Sequence, residues 1–236
     1  MNEFKLAWNA WTRRDLPVGS EPGEPAKVLA FIPVVGLVVG VGCWLIAELA
    51  RLLVGKPLPA GFVGAVAVMA FYGWTVRGGR LKALAELGTI WEIGYHEKGG
   101  DRLPGGLRIP QLLCLGWLAA TLIGVAGLIA YSGARLGTLW LVVPPVLAAT
   151  AYTDLNNRKS ASAVPAYCYW PVAMAIVVLT GALIGRITVA ILALTLTWIV
   201  GSGSFRLPGQ QERQEDAWPM IAMLESVVLW IGLLGL

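Results

Sequence analysis

Long apolar stretches recur along this chain, and they constrain its fold more than any other feature. A helix needs about 20 residues to cross the hydrocarbon of a bilayer. The composition, 57% apolar and only 14% charged, also departs from that of a soluble domain. We therefore predict an all-α, polytopic membrane helix bundle with about seven transmembrane helices. The apolar stretches are residues 28–50, 58–76, 109–131, 136–152, 164–185, 187–200 and 218–236.

The distribution of basic residues predicts the orientation of these stretches. With a cytoplasmic N-terminus, the cytoplasmic segments hold fourteen lysines and arginines and the outer turns hold four. This asymmetry follows the positive-inside rule and favours seven spans with the C-terminus outside. The four outer residues are Arg51, Lys56, Arg135 and Arg186.

The whole chain, residues 1–236, is expected to form a single membrane domain, because no repeat or Gly/Ser linker divides it. Residues 1–27 lack the pattern of a signal peptide and are expected to lie on the membrane surface. The longest polar segment, residues 77–108, is predicted to be a cytoplasmic loop. Its leucines Leu81, Leu84 and Leu87 follow helical spacing, which indicates an interfacial helix.

Small residues and prolines mark particular positions within the apolar stretches. The runs GLVVGVG and GFVGAVA permit close helix packing, within the chain or against another protein. Gly40 and Gly64 in these runs are expected to face lipid or a partner. Pro144 and Pro145 interrupt the fourth stretch, and proline is unfavourable inside a helix.

Residue content excludes several kinds of functional site. His96 is the single histidine, so the chain alone cannot form a histidine-based metal site, a haem pair or a Ser-His-Asp triad. Cys43, Cys114 and Cys168 lack CxxC spacing, which argues against a disulfide framework and a thiolate metal site. No nucleotide-binding motif occurs. The positive-inside loops account for the net charge of +4, so we expect no nucleic-acid partner.

Two carboxylates fall inside the apolar stretches. Glu48 lies close to the outer end of its stretch, and snorkelling towards water is the preferred interpretation. Glu225 lies in the middle of the last stretch. There a structural hydrogen bond to a neighbouring helix and a functional polar site both remain open.

Four segments at the two ends of the chain carry a family resemblance. They are LAWNAWTRRDLPV, FIPVVGLVVG, GKPLPA and FRLPGQQERQEDAWPMIAMLESVVLWIGLL. Together they resemble the opening and the final Glu-bearing helix of the cobalamin synthase (adenosylcobinamide-GDP ribazoletransferase) family. The resemblance implies the fold of that family and a multi-pass location in the cytoplasmic membrane of a bacterium or archaeon.

The stretch YGWTVRGGRLKALAELG, residues 72–88, departs from this family. The family carries Gly-Gly-x-His-x-Asp-Gly-Leu-Ala-Asp-Thr-x-Asp, whose carboxylates are thought to hold a divalent metal. Here Thr75 stands at the His position, and Arg77, Leu81 and Leu84 stand at the three Asp positions. A guanidinium would repel such a cation. We therefore expect no metal site and no cofactor, with Mg²⁺ relevant only to an active ribazoletransferase.

Partial matches to the family leave a residual polar site. The segment GGDRLPGG resembles the family's Asp-Ser-Arg-x-Gly and keeps Asp101 and Arg102. Glu215 or Asp216 corresponds to the Asp of its Thr-Gly-Asp segment, and Glu225 corresponds to a Glu of its last helix.

Four cations form a second candidate site, for phosphate or for lipid headgroups. Guanidinium groups near glycines bind pyrophosphate well. Basic residues beside a membrane span also bind anionic lipid, at about 1 kcal/mol each, and we prefer this anchoring role. The four residues are Arg77, Arg80, Lys82 and Arg102.

Three functions remain open. The preferred one is a non-catalytic relative of cobalamin synthase that serves as a structural or accessory subunit of a membrane complex. Its expected partners are other membrane protein subunits and anionic lipids.

The first alternative is an active ribazoletransferase, which joins α-ribazole to a GDP-activated cobinamide. The second is an aspartyl membrane peptidase resembling the prepilin peptidases, with Asp154 and Asp216 as its carboxylate pair. Against it, the run TDLNN predicts that Asp154 lies in a solvated turn.

Overall fold

Every element of regular structure in the described part of the chain is helical. The computed structural model describes residues 2–13, 24–76, 109–132, 135–157, 165–202 and 218–235. The predicted all-α class is confirmed for these residues. In chain order the elements are α1 (Asn2–Arg13), α2 (Glu24–Val54), α3 (Pro57–Thr75), α4 (Ile109–Tyr131), a 3-10 helix (Arg135–Val142), α5 (Val143–Asn157), a short 3-10 helix (Ala166–Cys168), α6 (Trp170–Leu183), α7 (Ile187–Gly201) and α8 (Trp218–Gly235).

Among the described residues, four helical segments are long and apolar enough to cross a membrane. Three shorter apolar helices accompany them, so each of the seven apolar stretches contains a helix. The long segments are Val28–Val54, Pro57–Thr75, Cys114–Tyr131 and Arg135–Leu155, and the shorter ones are Trp170–Leu183, Ile187–Gly201 and Met220–Gly235.

Segment Arg135–Leu155 lies at the centre of the bundle. Its membrane-length window is 89% buried, against 33% to 44% for the other three long segments. It comprises the first 3-10 helix and most of α5, and it packs against α2, α6, α7 and α8. Pro144 and Pro145 fall in the first turn of α5, where the helical ladder does not yet need their missing N–H groups. The prolines therefore do not break this segment.

Glycine permits the close approach of α2 to this central segment. A Cβ atom at Gly36 would lie 2.6 Å from the carbonyl oxygen of Pro145, and one at Gly40 would lie 2.6 Å from Cα of Val142. Gly64 is also buried, between side chains of α2 and α4. The expectation that Gly40 and Gly64 face lipid or a partner is therefore wrong. Both glycines let helices of the same chain touch.

Helix α1 packs against α2 and contacts the central segment. Ala7 and Trp11 are buried, whereas Phe4 and Lys5 are exposed. The Trp11 ring meets Tyr152 of α5 edge-on, with 5.8 Å between the ring centroids. One apolar face of α1 is thus covered by the bundle. The location of residues 1–27 at the membrane surface stays a prediction.

The outward surface of the bundle is apolar. Leu53 is 76% exposed and Leu234 is 84% exposed, and large apolar side chains are exposed on α2, α3, α4, α6, α7 and α8. A soluble monomer rarely exposes so much apolar surface. Trp74 and Tyr131, exposed at the ends of α3 and α4, are residue types that membrane interfaces favour. These features fit contact with lipid.

Candidate functional site

Most of the predicted site residues lie outside the part of the chain that the structure describes. Glu225, Glu48 and Asp154 are described, and the structure places each of them in a different polar cluster. The residues outside the description are Arg77, Arg80, Lys82, His96, Asp101, Arg102, Glu215 and Asp216.

Glu225 joins α8 to α3. Its side chain is buried, with 7% of its surface exposed, and its carboxylate accepts a hydrogen bond from the hydroxyl of Tyr72. A buried carboxylate needs such a partner because burial removes the water that would otherwise solvate it. Both residues lie on apolar helices, so the bond fastens two helices inside the bundle. The partner on a neighbouring helix is thus identified as Tyr72.

A cavity of about 60 Å³ lies beside Glu225. Its walls come from α2, α3, α4, the central segment and α8, and they are mostly apolar. Trp117 lines the cavity and donates to the hydroxyl of Ser226, which in turn donates to the carbonyl of Ala222 at 2.9 Å. Thr121 is buried, and its hydroxyl has no hydrogen-bond partner in the described residues.

Other buried threonines make a hydrogen bond that Thr121 does not make. Thr75, Thr150 and Thr180 each donate to the carbonyl four residues earlier, at 2.8 Å. This is the usual way in which a helix satisfies a buried hydroxyl. Among the described residues, the cavity is therefore lined by the Glu225 carboxylate and by a Thr121 hydroxyl without a partner. No group of three His, Cys, Asp or Glu side chains within the described ranges is placed to hold a metal ion.

Asp154 holds the end of α5 against the start of α6. Its carboxylate accepts hydrogen bonds from the Tyr169 hydroxyl and from Trp170 Nε1, the latter at 3.1 Å. A Cβ atom at Gly201 would lie 2.5 Å from its Oδ2 atom, so the end of α7 meets the same point. The interpretation of Asp154 as a solvated turn is therefore wrong. The residues TDLNN continue α5 because Tyr169 and Trp170 supply donors for the carboxylate and the end of α7 packs against it.

Glu48 belongs to a third cluster, at the end of α2. Its carboxylate lies 3.3 Å from Arg51 Nη1 and also accepts from the hydroxyl of Thr138. Arg51 Nη2 lies 3.4 Å from the carbonyl oxygen of Ser132. Only 13% of the Glu48 side chain is exposed, so its carboxylate is bound within the protein and does not snorkel towards water. The i,i+3 spacing of Glu48 and Arg51 is the sequence feature from which this ion pair could have been predicted.

The hydrogen-bond donors were not found by sequence reasoning. The donors come from other parts of the chain, 15 to 153 residues away from the carboxylates that they bind, and they are Tyr72, Thr138, Tyr169 and Trp170. Only a general rule indicated them, because buried Tyr and Trp usually place their polar atom against an acceptor. That rule predicts a partner and does not say which one.

Comparisons with known proteins add no relative. No protein-family model, curated protein or solved structure matches this chain.

Proposed function

We propose that this chain is a non-catalytic, cobalamin-synthase-like multi-pass membrane protein that serves as a structural or accessory subunit of a membrane complex. One observation carries the proposal. Glu48, Asp154 and Glu225 each accept hydrogen bonds from another helical element of the same chain. Carboxylates used in this way fasten helices together.

The positions of Glu48 and Asp154 also support a structural role. Glu48 contacts Thr138 near the start of the central segment, and Asp154 lies near its other end. Asp154 lies sixteen residues after Thr138, which corresponds to about 26 Å of helix at about 2.0 Å per residue in the 3-10 part and about 1.5 Å in α5. Two carboxylates so far apart cannot share a proton, as a catalytic dyad must.

The proposed topology has seven transmembrane helices and a cytoplasmic N-terminus. Contacts support an alternating arrangement of the helices. The ends of α2 and α4 meet the starts of α3 and the first 3-10 helix at one edge of the bundle, and the ends of α5 and α7 meet the start of α6 at another. The excess of basic residues in the segments after α1, α3, α5 and α7 supports a cytoplasmic side there.

Cysteine labelling tests this topology. We expect cysteines introduced at Gly100 and Asn156 to resist a membrane-impermeant maleimide in intact cells and to react after lysis. The exposed Cys168 must first be replaced by alanine, because its reaction after lysis would be mistaken for that of the introduced cysteine. A cysteine at Lys56 is the matched outer control and should label in intact cells. Labelling of Gly100→Cys from outside would reject the seven-span arrangement.

The proposed partners are other membrane protein subunits and anionic lipids. Arg77, Arg80, Lys82 and Arg102 would anchor the cytoplasmic segment 77–108 to lipid headgroups. The cytoplasmic membrane of a bacterium or archaeon is the proposed location. No nucleic acid, metal or other cofactor enters this proposal.

Copurification in mild detergent tests the accessory role. Gly73, Gly116 and Gly127 have no described atom within 4 Å of the position that a Cβ atom would take, so a larger side chain such as leucine at these positions starts into space that the described residues leave open. We expect at least one of the three variants to lose the assembly while remaining folded, and Asp154→Asn to retain it. Gly40→Leu would clash with the backbone of Val142, so it is the control variant for loss of the assembly that results from misfolding. A protein that runs alone at all detergent strengths would contradict the proposal.

A direct assay distinguishes the ribazoletransferase alternative. We expect no cobamide product when the purified protein is incubated with Mg²⁺, GDP-activated cobinamide and an α-ribazole nucleoside, because Arg77, Leu81 and Leu84 stand where the family has carboxylates. Product that disappears in Asp101→Asn and Glu215→Gln would establish an active enzyme. Cleavage of a prepilin-like substrate that requires Asp154 and Asp216 would establish the peptidase instead.

A further inference from the structure

A second and larger cavity, of about 180 Å³, opens at the edge of the bundle where α2 ends. We name it the edge cavity, and its walls include Glu48, Arg51, Gly55, Pro57 and Arg135. Gly55 makes the tight turn into α3 with a φ of 70°, which glycine adopts without strain. The volume is sufficient for several water molecules. It is therefore large enough for a small polar group.

The charges around the edge cavity do not cancel. Glu48 and Arg51 form an ion pair at 3.3 Å and offset one another. Arg135 is exposed and lines the same cavity, and no described residue pairs with its guanidinium group. Lys56, also exposed, lies between two lining residues, Gly55 and Pro57. The cavity wall thus carries a net charge of +1, with a further cation beside it.

Helix ends do not reverse this sign. The C-termini of α2 and α4 and the N-termini of α3 and the first 3-10 helix all lie at this edge. Each α-helix end carries roughly half an elementary charge, negative at a C-terminus and positive at an N-terminus. These partial charges oppose one another, so the formal charge of Arg135 decides the local potential.

We propose that the edge cavity binds a phosphate anion, with Arg135 as its principal ligand and Arg51 as a secondary one. A guanidinium group presents a planar fork of N–H donors that matches two phosphate oxygens. The exposed Tyr131 at the end of α4 indicates that this edge lies at the level of lipid headgroups. The phosphate can belong to a lipid headgroup or to a small soluble molecule. This proposal does not depend on the accessory role.

Ligand-induced stabilisation of the purified protein in a neutral detergent tests the proposal. The temperature of half-unfolding is measured against dioleoylphosphatidylglycerol, against dioleoylglycerol as the phosphate-free lipid, and against inorganic phosphate at constant ionic strength. We expect a phosphate-bearing ligand to stabilise the wild type. Arg135→Gln should weaken its apparent affinity about tenfold or more, as loss of a charge-assisted hydrogen bond predicts. Arg186→Gln, at an exposed arginine outside the cavity, should not.

The pattern of responses identifies the source of the phosphate. A response to phosphatidylglycerol alone assigns the site to a lipid headgroup, and a response to inorganic phosphate assigns it to a soluble molecule. Arg135→Lys retains the charge but loses the fork, so its affinity should fall between those of the wild type and Arg135→Gln. If Arg135→Gln does not fold, Arg135→Lys replaces it as the variant that tests the role of the guanidinium group. Equal responses of the wild type and the Arg135 variants, or no response to either phosphate ligand, would overturn the proposal.

Discussion

Gly40→Ala tests the close approach of α2 to the central segment Arg135–Leu155. The added Cβ atom would lie 2.6 Å from Cα of Val142 and 2.9 Å from its carbonyl oxygen. Both are backbone atoms in the most buried of the long segments, so no side-chain rotation can relieve the clash. The helices must separate by about 0.8 Å to reach ordinary contact at 3.4 Å.

The expected loss of stability follows from two opposing effects. Overpacking a close contact costs about 1–3 kcal/mol, and replacing glycine by alanine in a helix returns up to about 1 kcal/mol. We therefore expect Gly40→Ala to lower the free energy of unfolding by about 1–2 kcal/mol. A Cβ atom added at Gly73 in α3 would have no neighbour within 4 Å among the described residues, so Gly73→Ala should be neutral or slightly stabilising. The two variants should differ by about 2 kcal/mol, or about 30-fold in the folding equilibrium.

Labelling of a buried thiol can report this difference. Cys43 is buried in α2, so its reaction with a maleimide dye during titration with a denaturing detergent measures unfolding. Cys114 and Cys168 are first replaced by alanine, because they are more accessible. If Gly40→Ala and Gly73→Ala unfold at the same detergent fraction, or if Gly40→Ala is the more stable, α2 does not touch the backbone of the central segment.

The hydrogen bonds between helices yield three further predictions, each measured by the same titration. Tyr72→Phe leaves the buried Glu225 carboxylate without this donor and should lower the free energy of unfolding by about 1–3 kcal/mol. A double-mutant cycle with Glu225→Leu should show a coupling of at least about 0.5 kcal/mol, and additive effects would contradict the bond. Trp140→Phe removes a fully buried indole whose Nε1 donates to the carbonyl of Val228 at 3.2 Å, so it should destabilise by about 1–3 kcal/mol. Unchanged stability would show that this contact is absent. Asp154→Asn retains the shape but loses the charge of the acceptor and should cost about 1–2 kcal/mol, whereas a solvated turn would tolerate the change.

The helical membrane character follows from the sequence by itself. An apolar stretch of membrane length can satisfy its backbone in lipid only as a helix or within a closed barrel. These stretches are continuously apolar and lack the alternation of barrel strands, so the helices could be located without knowledge of their neighbours. The run GLVVG also indicated a close helix contact, although it could not specify the surface that Gly36 and Gly40 touch.

The tertiary structure decided how the polar side chains are used. The interpretations of Glu48 as a snorkelling residue and of Asp154 as a turn residue rest on local sequence, and both are wrong. Their partners Thr138 and Trp170 lie 90 and 16 residues away in the chain. A local sequence pattern contains no information about such contacts, because they exist only after the helices have packed.

The position of segment Arg135–Leu155 also shows the difference between what the sequence determines and what helix packing determines. Its prolines, Pro144 and Pro145, made it the least regular of the long apolar stretches, yet it is the most buried of the four long segments. Hydropathy measures how readily a helix enters lipid, and this property is the same for a helix surrounded by lipid and for one surrounded by other helices. Sequence therefore determined that the segment is apolar and helical. Only the packing of α2, α6, α7 and α8 around it placed it at the centre, because that choice depends on the shapes of all five helical elements together.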